Sequence, residues 1–215
     1  TVFDNIKKSL LFMMPTNFGE AGVIVLAIFA GLALPVTAGQ ILWVNTVTAI
    51  TLALALAFEP GEAAVMQHPP RAARAPLISG ALAFRMAYVS VLMVAVTFAV
   101  FQWELARGHT LEQARTASVN MLALGEMVYL FNVRHFTAAA WGREVLTGNR
   151  VALWVSATLV VLQLAFTYLP AMQATFQTAA LDLQTWGFIA VLALLKFLAV
   201  EAEKAFWRAR GVHRM

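Results

Sequence analysis

Five side chains with oxygen-bearing heads fall inside runs of apolar residues: Asn17 with Glu20, Asn45 with Thr48, and Glu126. The members of each pair are three residues apart, so on a helix they share a face and can offer two oxygens to one centre. Glu126, in Leu124-Gly125-Glu126-Met127, has no local counter-charge and needs partners on other helices, which favours a site shared with Glu20. A carboxyl at membrane depth is costly unless it meets an ion, a proton or another polar group. Oxygen ligands without sulfur or imidazole suit a hard cation such as Ca2+, an alkali ion or a proton.

Plainer readings stand beside these. Pro15 removes a backbone donor and Gly19 admits a close neighbour, so Asn17 also fits a kinked helix with an interhelical amide bond. Thr46 and Thr51 are expected to bond back to their own backbone, and Trp43 to anchor at an interface. Lys196 and Glu201 read as structural, snorkelling or pairing with each other, and Gln163 as a helix contact. His68, His109, His135 and His213 show no ligand spacing, and the absence of Cys removes thiolate sites and disulfides.

The elements that must hold these groups follow from composition. Of 215 residues 61% are hydrophobic and 12% charged, too little polar surface for a soluble domain. The pattern predicts an all-α polytopic membrane protein, a bundle of six transmembrane helices over the single unit 1–215. At about 20 residues per crossing, the spans fall near Leu10–Leu34, Gln40–Phe58, Ile78–Phe101, Thr116–Phe136, Val151–Leu169 and Trp186–Phe206. Thr1–Leu10 is too polar for lipid yet has no turn signal, so the first helix is expected to continue outward as a stalk. Arg and Lys gather in Glu59–Arg74, Phe136–Arg150 and the tail after Glu203, which places both termini in the cytoplasm of a cell or inner membrane. The net charge of +4 is thereby a topology signal, and no nucleic-acid partner is expected. No phosphate-binding Gly-rich loop or Ser/His/Asp set occurs, and the opening at Thr1 without Met or signal pattern reads as part of a longer chain.

The series Phe3-Asp4-Asn5-Ile6-Lys7-Lys8, Thr16-Asn17-Phe18-Gly19-Glu20, Gln40-Ile41-Leu42-Trp43-Val44-Asn45, Val47-Thr48, Phe58-Glu59-Pro60 and Pro69-Pro70-Arg71 closely resembles the carboxy-terminal membrane half of cation-transporting P-type ATPases, nearest in pattern to calcium pumps and their bacterial counterparts. The resemblance implies that the six spans are the family's fifth to tenth. It implies further that Asn17, Glu20, Thr48 and Glu126 match one calcium site and Asn45 a ligand of a second. Ala49 departs from the pattern, since calcium pumps carry a bridging Asp there.

The expected function is therefore the membrane half of an ATP-driven cation pump, with Ca2+ favoured over Na+ or K+, and Mg2+, Mn2+ or protons behind them. The lipid bilayer, the transported cation and the pump's amino-terminal membrane and cytoplasmic domains are the expected partners, and Mg-ATP would act only on those domains. A secondary transporter is the weaker alternative, because the two halves show no repeat. A non-catalytic membrane subunit is the other.

Overall fold

The computed structural model describes residues 2–59, 78–136, 138–140 and 149–210. These residues form α1 (Val2–Phe29), α2 (Ala38–Ala57), α3 (Gly80–Ala106), α4 (Leu111–Val133), α5 (Arg150–Tyr168), a short α6 (Pro170–Phe176) and α7 (Leu183–Ala209), with no strand among them. Each long helix after α1 begins where a side chain takes up free backbone donors. Thr37 with Gln40 and Thr110 with Gln113 form reciprocal capping boxes. Ser79, Asn149 and Asp182 cap α3, α5 and α7.

Helix α1 runs unbroken from Val2, as the stalk expectation requires, and contains Pro15. Ser90 of α3 donates to the Pro15 carbonyl at 3.1 Å, binding the proline turn to its neighbour. At Gly19 the two helices close further, where an added Cβ would stand 2.6 Å from Met93 Cβ. Helix α2 widens into a π-helical turn at Ala49–Ala53, immediately after Thr48. Gly108, with φ of +79°, makes the tight link from α3 to α4.

All six segments marked out in the sequence are helical, and five are long and apolar enough to cross a membrane. The exception by composition is α4, at 23 residues about 35 Å long. It carries Thr116, Ser118, Asn120, Glu126 and Asn132, all buried. Helix α4 packs against α1, α2, α3, α5 and α7, so its polar groups meet protein instead of lipid. It starts at Leu111 and not near Thr116, because the Thr110 cap sets its first turn.

The end of the bundle that carries both termini is tied by buried polar groups. Arg85 donates to Glu203 at 2.7 Å and to the Phe136 carbonyl at 2.6 Å. Arg134 and Asn149 both donate to the Glu59 carboxylate. The basic positions Arg71, Arg74 and Arg143 of the connecting segments, with His68 and His213, lie outside the described residues.

Candidate functional site

Glu20 and Glu126 both lie buried in the bundle, 4% and 1% exposed, close enough for the two carboxyl groups to interact. Two carboxyls at that range need a proton or a cation between them. Asn45 Nδ2 donates to Glu20 Oε2 at 2.6 Å and to the Ile41 carbonyl at 3.3 Å, which leaves its Oδ1 as an acceptor. Thr48 Oγ1 donates to the Val44 carbonyl at 2.9 Å, on the side of α2 near Glu126. Glu126 Oε1 is buried without a partner. The structure thus brings Glu20, Asn45, Thr48 and Glu126 into one oxygen-lined centre between α1, α2 and α4.

Asn17 does not join them. It is exposed on α1 and makes no hydrogen bond among the described residues. Ala49 is likewise exposed, at the entry to the π-helical turn. Thr51 bonds back to the Val47 carbonyl at 2.7 Å, as expected of an isolated membrane threonine. Among the described residues no group of three or more His, Asp or Glu converges, so any cation here relies on amide, hydroxyl and carbonyl oxygens besides the two acids.

Three readings from sequence are corrected. Trp43 is not an interfacial anchor, since it stacks on Phe166 at 5.4 Å and meets Phe176 at 5.3 Å inside the α2–α5–α6 corner. Lys196 neither snorkels nor pairs with Glu201. Its side chain is 1% exposed and turns into the bundle, where Nζ lies 2.7 Å from the Gly125 carbonyl and 2.6 Å from Met93 Sδ. Glu201 instead accepts from Lys204 at 2.8 Å and from Asn132 at 2.7 Å. Lys196 is the site neighbour that sequence reasoning missed, and the signal for it was a lone cation in Leu194-Leu195-Lys196-Phe197-Leu198. A second polar pair lies between α4 and α5, where Asn120 donates to Thr167 at 2.9 Å.

At the opposite end, Arg107 joins the α3–α4 turn to the start of α7. It donates to Asp182 at 2.6 Å and to Thr185 at 3.1 Å. The Asp182 carboxyl is held well below the usual carboxylate range, first by the Arg107 hydrogen bond and then by the Thr185 donors.

The family described as cation transporting ATPase, C-terminus, matches residues 33–206. The chain is 43% identical over 210 residues to the "Probable cation-transporting ATPase F" of Mycobacterium tuberculosis, covering 98% of this chain and 23% of that protein. It is 32% identical to "Cation-transporting ATPase pma1" of Synechocystis, over 93% of this chain and 22% of that one. A similarity of 30% over 94% of the chain and 24% of the relative links it to "Calcium-transporting ATPase 1" of Bacillus cereus. The chain therefore spans about a quarter of the length of these relatives.

Proposed function

This chain belongs to the family of cation-transporting ATPase carboxy-terminal regions, and on that premise we propose that it supplies the ion-binding half of an ATP-driven pump whose phosphorylation machinery lies on other segments. The observation that carries the reading is the contact of Glu20 with Glu126, framed by Asn45 and Thr48. Two acids alone in an apolar bundle are expensive, and a cation between them turns that cost into affinity. In this reading Asn45 orients Glu20 through its amide and offers Oδ1, while Thr48 offers its hydroxyl oxygen beside Glu126. Asn17 would complete the site from its exposed face of α1, against a span of the same pump beyond this chain.

Ca2+ is the favoured cargo, supported by the hard-oxygen ligand set and by the relative named a calcium-transporting ATPase. Ala49 favours a second reading, a monovalent cation, because it leaves the centre one acid short of the calcium-pump pattern. We place both termini in the cytoplasm, a reading supported by Lys7 and Lys8 early in α1 and Arg208 at the end of α7.

The deciding experiment is ATP turnover by the full-length pump titrated separately with Ca2+, Na+ and K+. Expected is stimulation by micromolar Ca2+, abolished by Glu20→Gln and weakened roughly 10- to 100-fold by Asn45→Leu, the loss of one charge-assisted hydrogen bond. Stimulation by Na+ or K+ alone selects the second reading. Stimulation unaffected by Glu20→Gln removes the site.

A further inference from the structure

A buried lysine in a cation pathway needs an explanation. The Lys196 ammonium sits in surroundings that would themselves attract a metal cation: the Gly125 carbonyl at 2.7 Å, the Tyr129 ring face at 5.3 Å and the nearby Glu126 carboxyl. Gly125 keeps that carbonyl accessible, since a Cβ there would stand 3.3 Å from Met93 Sδ and 3.5 Å from Nζ. The Tyr129 hydroxyl is committed elsewhere, donating to the Leu11 carbonyl at 2.9 Å, so the ring is fixed in place. Lys196 comes from α7, whereas the site acids come from α1 and α4, and its ammonium lies against Gly125, the residue before Glu126, and Met93 of α3.

Formal charges point the same way. Glu20 and Glu126 bring two negative charges and Lys196 one positive, leaving one net negative charge. Ala49 withholds a further acid. Both features, one a gain of cation and one a lack of anion, reduce the cationic charge that the centre can take up.

We propose that the Lys196 ammonium is a tethered cation of the transport site: it stands on the α7 side of Glu126 in place of a second ion, so that one cation is loaded per cycle on the Glu20–Asn45 side. This rests on the ion-site reading above. It assigns Lys196 a specificity-determining role, setting how many ions are carried and how strongly the centre prefers divalent charge.

The test uses the full-length pump with Ca2+ as the probe. In ion-free detergent, Lys196→Met should lower the thermal midpoint, and adding Glu126→Gln should restore most of the loss. Equal midpoints for the single and double variants would overturn the proposal whichever ion is pumped. With Ca2+ titrated in, Lys196→Met should raise apparent affinity by about tenfold or more, for one added negative charge beside a divalent ion. It should also raise bound Ca2+ from one to two per pump, while Lys196→Arg keeps the parent values. Unchanged affinity and stoichiometry in Lys196→Met would equally overturn it. If the parent pump ignores Ca2+ while the Lys196–Glu126 thermal coupling persists, the calcium reading fails and the tethered cation stands.

Discussion

Replacing Arg85 by Met isolates the Glu203 carboxylate in a buried position. The two side chains are 1% and 4% exposed, and Arg85 supplies the only ion pair found for Glu203 among the described residues. Glu203 Oε1 already lacks a partner, so removing Arg85 strips the remaining oxygen as well. Breaking a buried pair from one side costs about 3–5 kcal/mol. At about 2–4 °C per kcal/mol for a domain of this size, unfolding of the membrane region should fall by roughly 6–20 °C. Arg85→Met/Glu203→Met should recover most of that, since a buried pair replaced by apolar groups of similar volume is often neutral. The assay is thermal unfolding of the full-length pump, with the single and double variants forming a cycle. A shift below about 2 °C for Arg85→Met, or a double variant as unstable as the sum of the singles, would refute the reasoning, because Glu203 would then be solvated or neutral without its partner.

Gly19→Ala places a Cβ 2.6 Å from Met93 Cβ, so α1 and α3 must separate. A loss of about 1–3 kcal/mol is expected, read as a lower thermal midpoint, with Gly19→Ala/Met93→Ala recovering part of it. The Asp182 carboxyl is depressed below its ordinary value, so the stability it contributes is present above about pH 4 and is lost as pH falls through the folded value. Asp182→Asn should remove the part of the acid-induced decline in thermal midpoint that arises at this corner, and the same pH profile in both proteins would contradict the assignment.

Much of the candidate site's geometry was legible because charge in an apolar run is a strong signal. Glu20, Asn45, Thr48 and Glu126 stood out by type and by three-residue spacing, and they converge. Asn17 had the same spacing but lies outside, because spacing fixes neighbours on a helix and not which side faces the bundle. Lipid and core are equally apolar, so the contrast that orients a helix in water is missing. Lys196 was misjudged by pairing it with Glu201. Five residues on a helix set two side chains about 140° apart, and Glu201 turns to Lys204 and Asn132 while Lys196 turns to Gly125. The start of α4 was readable in Thr110 and Gln113, a capping box overlooked beside the stronger apolar pattern that follows. The stacking of Trp43 on Phe166 joins residues 123 positions apart and has no local trace.

The polar character of α4 bears on how the protein is made. A segment with Asn120, Glu126 and Asn132 inserts poorly by itself, each such residue opposing transfer from the translocon into lipid. Its link to α3 is only Arg107–Thr110, between the end of one helix and the start of the other. The apolar α3 therefore carries α4 across as a hairpin, and Glu126 enters the membrane already shielded on one flank. The remaining flanks are covered only when α5 and α7 emerge, so assembly of this centre waits on α7.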